Sequence, residues 1–145
     1  MLGGVGLEAW KAFLRAHARL IRQLDGELQQ EHRFALGDFD VLIQLAEAPR
    51  GRRRMCDLAA AVVLSPSGLS RRVDRLERAG YVTRERAAHD ARAVEARLTP
   101  AGKRLLGRLR AAHLAGVRER FADRFTDEEL ETLADLLGRL NADGA

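Results

Sequence analysis

Between Ser65 and Arg78 the sequence carries side chains suited to hydrogen bonding along an extended polyanion. Ser65, Ser67 and Ser70 offer hydroxyls. Arg71, Arg75 and Arg78 offer guanidinium forks that can donate two parallel hydrogen bonds to a phosphate or a guanine edge. Ser65 followed by Pro66 reads as the N-cap and first residue of a helix, and Gly80 as its left-handed stop. With residues 66–80 wound at about 100° per residue and Ser67 set to zero, Arg71, Arg75 and Arg78 fall at about 40°, 80° and 20°. Leu69, Val73 and Leu76 fall at about 200°, 240° and 180°. The spacing predicts a rod with an apolar face for its own domain and a hydroxyl-and-arginine face for duplex DNA, whose major groove admits an α-helix. On that reading Ser67 and Arg71 reach bases or adjacent phosphates, and Arg75 and Arg78 reach phosphate. The same pattern also describes an amphipathic surface helix whose arginines pair internally, Arg71 with Asp74 and Arg75 with Glu77.

A second group of candidates follows. Arg84 and Arg86 alternate along a strand predicted over 81–86, and Val94, Ala96 and Leu98 alternate with Glu95 and Arg97 over 93–98. Ala88-His89-Asp90 reads as the turn between them, with Arg92 near its tip. An arginine there could enter a minor groove, whose negative potential attracts it. Asp90 is unusual beside phosphate. Either it holds Arg92 by a charge-assisted hydrogen bond, or the two form a plain surface ion pair.

The distribution of charge agrees with these positions. The chain of 145 residues has net charge +4, from 23 Arg, 2 Lys and 21 acidic residues. Residues 1–49 are net −2, residues 50–97 net +6, and residues 98–145 neutral. The excess lies in the third that holds the candidates, as an electrostatic footprint for an anionic partner would. A solvated basic face would look the same.

Around these residues the periodicity predicts supporting elements. A first helix over 7–30 carries Leu7, Trp10, Leu14, His17, Ile21, Leu24 and Leu28 at alternating spacings of three and four, a narrow seam suited to packing helix on helix. Leu36-Gly37 is read as a break, followed by a helix over 38–47 with Val41, Leu42 and Leu45 inward and Asp38 and Asp40 in its first turn. Pro49 and Gly51 end it, and a basic loop leads to a short strand near Arg54-Met55. A third helix from Cys56-Asp57 uses Leu58, Ala59, Val62 and Val63. After the hairpin, Thr99 caps a helix reaching to about Asp123, with Leu105, Leu106, Leu109, His113 and Val117 along one line. Thr126 with Glu129 forms a capping-box pattern before a last helix striped by Leu130, Leu133, Leu137 and Leu140. The expected fold is mainly α with a small β-hairpin. It is a winged helix-turn-helix lobe over 36–99 within a single domain 1–145, flanked by dimerisation helices over 5–32 and 100–142. The outer seam is more than the small lobe can cover.

Other chemistries find little footing. Ser65, Ser67 and Ser70 have no His nearby in sequence and no Gly-rich phosphate loop occurs, so an enzyme is not expected. His17, His32, His89 and His113 lack ligand spacing, so neither a metal site nor a cofactor is expected. The single cysteine, Cys56, excludes an intrachain disulfide and fits a reducing compartment, the cytoplasm. It stands before a helix near Arg53 and Arg54, an environment that favours thiolate, so a thiol-based redox sensor is one alternative. A winged-helix module for protein association is another. Residues 1–10 show no leader pattern and no apolar run reaches membrane-spanning length, so no membrane partner is expected.

From residue 58 to 106 the sequence resembles the MarR family of bacterial regulators. The resemblance is carried by Leu58-Ala59, by Leu64-Ser65-Pro66-Ser67-Gly68-Leu69-Ser70-Arg71, and by Val73-Asp74-Arg75-Leu76-Glu77-Arg78-Ala79-Gly80-Tyr81-Val82. It continues in Asp90-Ala91-Arg92-Ala93 and Leu98-Thr99-Pro100-Ala101-Gly102. The resemblance implies a homodimer with intertwined outer helices and two winged lobes on a pseudo-palindromic operator of double-stranded DNA. It also implies a repressor released by a small phenolic or anionic effector. Arg92 then becomes the minor-groove contact and Asp90 its positioner. Residue His89 departs from the residues common near this turn. Trp10, Phe13, Arg15, His17 and His113 are the candidate effector-lining residues, although Trp10 and His17 also serve as plain filling of the seam.

Overall fold

The computed structural model describes residues 2–62 and 64–142. Its elements run α1 (Gly4–His32), α2 (Leu36–Glu47), a 3₁₀ turn (Pro49–Gly51), β1 (Arg52–Arg54), α3 (Met55–Ala61) and α4 (Pro66–Arg78). Then come β2 (Val82–Ala87), β3 (Asp90–Leu98), α5 (Pro100–Arg120), a second 3₁₀ turn (Ala122–Arg124) and α6 (Asp127–Asn141). No described helix is long and apolar enough to cross a membrane.

The chain divides into two units, one of residues 1–24 with 113–145 and one of residues 25–112. The second holds the larger core. Phe39, Val41, Leu42 and Leu45 of α2, Leu58 and Ala59 of α3, and Leu69, Val73 and Leu76 of α4 are buried. Val82, Ala96 and Leu98 of the strands close it, with Leu28 of α1 and Leu105, Leu106 and Leu109 of α5. Because those last four residues belong to this core, the unit reaches beyond residues 36–99 on both sides. Val63, expected on the apolar face of the third helix, lies outside the described residues.

The expected hairpin is present, but β1 joins it, giving a three-stranded sheet in the order β1-β3-β2. Arg53 pairs with Ala96 in one ladder and Arg84 with Ala96 in the other, so β3 is central. The strand foreseen near Arg54-Met55 is thus Arg52–Arg54, and Met55 already begins α3.

Leu36 and Gly37 do not break the chain; they form the first turn of α2. The N-cap, Ala35, has no side chain to offer. The Leu36 N–H instead donates to Asp25 Oδ1 of α1 at 2.9 Å. A Cβ at Gly37 would stand 2.6 Å from the Arg72 guanidinium, so a larger residue there would oblige that side chain to shift. The caps at Ser65 and Thr126 are as the sequence implies. Ser65 accepts from the Gly68 N–H at 3.1 Å, and Thr126 and Glu129 complete a capping box.

The base of the hairpin is pinned to α5. Thr99 Oγ1 donates to the Gly80 carbonyl at 2.7 Å and accepts from the Gly102 N–H at 3.0 Å, while the Thr99 N–H donates to the Tyr81 carbonyl at 3.0 Å. Gly80 has φ +84°, the left-handed value glycine tolerates best. A Cβ on Gly102 would press on the Tyr81 carbonyl and stand 2.7 Å from Leu98 Cδ1. Phe34 and Tyr81 meet edge to face at 6.3 Å, tying the loop after α1 to this junction.

In the first unit the α1 seam is largely bare. Leu7, Trp10, Leu14 and Ile21 are exposed, as are Leu136, Leu137 and Leu140 of α6 and Leu114 of α5.

Gly102→Ala should lower stability by about 1–3 kcal/mol, the cost of forcing a methyl into filled space. A denaturant midpoint equal to that of the unaltered chain would show that α5 can shift away freely.

Candidate nucleic-acid interface

The helix α4 separates its faces as the spacing predicts. Leu69 and Val73 are fully buried and Leu76 is 2% exposed, whereas Ser67, Arg71, Arg75 and Arg78 are exposed. Ser65 is exposed at the N-cap, 3.3 Å from the Ser67 hydroxyl, and Ser70 is half-buried. The preceding turn is tight: the Leu64 N–H donates to the Ala59 carbonyl at 3.0 Å, and Pro66 opens α4.

The internal pairings differ from those the sequence offered. Arg71 and Arg78 enter no ion pair among the described residues, so neither Asp74 nor Glu77 takes them. Asp38, on α2, accepts through one oxygen from Arg72 at 2.9 Å and Arg75 at 3.1 Å. Arg72 was not singled out by the sequence. Its only signal is its position at about 140° on the wheel, between the two faces. Asp38 was placed by its helix end alone, and its partners lie 34 and 37 residues away, beyond the reach of local spacing.

Arg84 is held on the protein's own body. Its backbone N–H donates to Glu77 Oε2 at 2.8 Å, its Nη2 to Glu77 Oε1 at 3.0 Å, and it also pairs with Asp74. Arg84 and Arg86 share a face of β2, but Arg84 lies opposite buried Ala96 and Arg86 opposite exposed Val94. The face they share is therefore covered at Arg84 and open at Arg86, although Ala87 on β2 is again buried. Arg86 is exposed and enters no ion pair among the described residues. These bonds, led by the one from the Arg84 backbone N–H, hold the Glu77 carboxyl below its usual range. The side-chain bond to Glu77, with a further one to Asp74, raises the pKa of the Arg84 guanidinium.

At the wing tip, Ala88 and His89 form the turn and Asp90 begins β3. Asp90 Oδ1 accepts from the Arg92 backbone N–H at 3.0 Å, not from its guanidinium. Asp90 thus fixes the local backbone and leaves the exposed Arg92 side chain free to extend. The basic run before α3 is partly committed: Arg53 donates to Gln44 at 3.1 Å and Arg52 lies 3.9 Å from Glu95. Cys56 is exposed in the first turn of α3, with Asp57 Oδ1 3.8 Å from its Sγ.

Of the candidate effector-lining residues, Phe13 and His17 line a groove of about 860 Å³ in the first unit; Trp10, Arg15 and His113 do not. Leu20, Phe121, Phe125, Leu133 and Leu137 supply its apolar wall, and Arg19, Arg120 and Arg124 its cations. Trp10 stacks on Phe13 at 6.1 Å and Phe13 on His17 at 6.3 Å. No cluster of three or more His, Cys, Asp or Glu suited to a metal occurs among the described residues.

Residues 35–93 match the model of the MarR family. The chain is 32% identical over 126 residues to the HTH-type transcriptional regulator PecS of Dickeya dadantii, covering 82% of this chain and 71% of that one. Two solved structures from Streptomyces coelicolor are similar throughout. AbsC, a MarR family transcriptional regulator, is 33% identical with TM-score 0.87, covering 97% of this chain and 95% of its own. Sco3205, a MarR family transcriptional regulator in complex with DNA, is 34% identical with TM-score 0.88, covering 99% and 89%.

Glu77, and Asp25 through bonds from Gln29 and the Leu36 N–H, are both held below the ordinary carboxylate values. Their stabilisation is complete above about pH 5 and is lost as pH falls through the folded values, below about 4. Thermal midpoints should be level near neutrality and drop below about pH 4. Glu77→Gln should begin lower and drop less; an acid limb as steep as that of the unaltered chain would remove Glu77 from the account.

Proposed function

The chain belongs to the MarR family of transcriptional regulators, and on that premise we propose that it is a sequence-specific DNA-binding regulator. The observation that carries this reading is the division of α4, with Leu69, Val73 and Leu76 packed inward and Ser67, Arg71 and Arg78 outward, the two arginines in no ion pair among the described residues. A helix so divided presents donors along one side to the major groove, where each base pair shows its own donor and acceptor pattern. Ser67 and Arg71 take base edges or adjacent phosphates, and Ser65, Ser70, Arg75 and Arg78 the backbone. Arg86 and Arg92 extend from the wing toward the minor groove. Arg84 and Asp90 act as positioners, the first tying β2 to α4 and the second shaping the tip.

The protein acts as a homodimer on a pseudo-palindromic operator of double-stranded DNA. Support comes from the bare apolar seam of α1 and the exposed leucines of α6, which suit burial against a second copy. It works in the cytoplasm, without catalysis, as a repressor. A small phenolic or anionic effector releases it, and the groove holding Phe13, His17, Arg19 and Arg124 supports an aromatic anion, since apolar walls with a few cations fix such a ligand.

Duplex selected from a random pool by the purified protein should bind with an affinity that falls steeply with salt. Arg71→Ala and Arg92→Ala should each weaken it by about 1–3 kcal/mol. Wild-type affinity in folded Arg92→Ala would remove the wing from the interface. Light scattering should give twice the chain mass; a monomer at micromolar concentration would contradict the dimer.

A further inference from the structure

Among the described residues Asp38 is the one buried charged side chain, and it serves two cations with a single oxygen. The two differ in setting. The Arg72 side chain is 29% exposed and lies against α2 in the space a Cβ on Gly37 would need, so it is half-buried. The Arg75 side chain is 53% exposed. It stands four residues after Arg71 and three before Arg78, on the same outward row. We propose that Asp38 sorts its two arginines into a fixed anchor, Arg72, and an exchangeable cation, Arg75, which leaves Asp38 for a DNA phosphate when the operator docks. This rests on the DNA-binding reading above.

The chemistry allows the exchange. A carboxylate oxygen and a phosphate oxygen are equivalent acceptors for a guanidinium, both making charge-assisted bonds. A lone arginine leaving a buried carboxylate would strand an uncompensated charge, which is strongly disfavoured. Here Arg72 stays, so Asp38 remains paired after Arg75 departs. In the free protein Asp38 competes with every phosphate for Arg75. Random encounters with DNA are thereby weakened, while a docked operator, which holds a phosphate within reach of the α4 row, overcomes the competition. Arg72 is a positioning residue: it touches no phosphate and sets the height of α4 on α2.

The test uses the full chain and two duplexes, the selected operator and a scrambled sequence of equal length. Affinities are followed from 50 to 200 mM salt, and thermal midpoints are measured without DNA. Arg75→Gln should reduce the slope of log affinity against log salt by about 0.9, so that about 3.5-fold less affinity is lost across that range. Its thermal midpoint should stay near that of the unaltered chain. Arg72→Gln should keep the slope and lower the midpoint. Asp38→Asn, which keeps the shape but not the charge, should bind the scrambled duplex several-fold more tightly, and adding Arg75→Gln should erase the gain. An unchanged slope in Arg75→Gln, or an unchanged scrambled-duplex affinity in a folded Asp38→Asn, overturns the proposal. If Asp38→Asn does not fold, the slope of Arg75→Gln alone decides. Failure of the unaltered chain to bind any duplex overturns the DNA-binding reading itself, a result distinct from either variant's.

Discussion

The pitch of α4 on its domain depends on one buried carboxylate. Leu69, Val73 and Leu76 press the helix onto the core, but apolar contact is non-directional and would tolerate a roll of the helix about its axis. The bonds from Arg72 Nη1 and Arg75 Nη2 to Asp38 Oδ1 oppose such a roll, because a hydrogen bond is directional. Glycine at position 37 leaves the room that the Arg72 guanidinium occupies. The arginines further round the helix, Arg71 and Arg78, inherit their direction from this contact.

A second acidic pair does for the wing what Asp38 does for the helix. Asp74 and Glu77, on the same helix, take Arg84 of β2, so the hairpin is referenced to α4 and not merely to the sheet. The anchors at the hairpin's base are dense, with Thr99, Gly80, Tyr81 and Gly102 all engaged. Toward the tip they thin out, and the ladder shifts register between Arg86 and Ala87. Two probes of different reach, helix and wing, therefore share one rigid reference.

Much of this was legible in the sequence where the signal was local. The periodicity of residues 66–80, the caps at Ser65, Thr99 and Thr126, and the stop at Gly80 depend on neighbours within four residues, and each is present. What was misread depended on distant partners. Gly37 looked like a breaker because glycine usually is one, but it lies inside α2, with the guanidinium of Arg72, 35 positions later, beside it. Arg84 and Arg86 looked alike because alternation is blind to which positions along one face meet partners: Glu77 and Asp74 take Arg84. The third strand was nearly invisible, since Arg52–Arg54 has no apolar alternation and is ordered by its partner. Asp90 was expected to hold the Arg92 side chain, but its bond goes to the backbone of Arg92.

The missing cap on α2 has a consequence for how the protein can be divided. Ala35 offers no side-chain acceptor, and the Leu36 N–H instead finds one in Asp25, eleven residues earlier on α1. Leu28 of α1 is buried in the same core. A winged lobe cut at the visible start of α2 would therefore lose a cap worth roughly 1 kcal/mol together with part of its floor. The smallest piece that carries its own foundations into a chimera begins at the last two turns of α1, so the lobe and the outer helix are inherited as a joined pair.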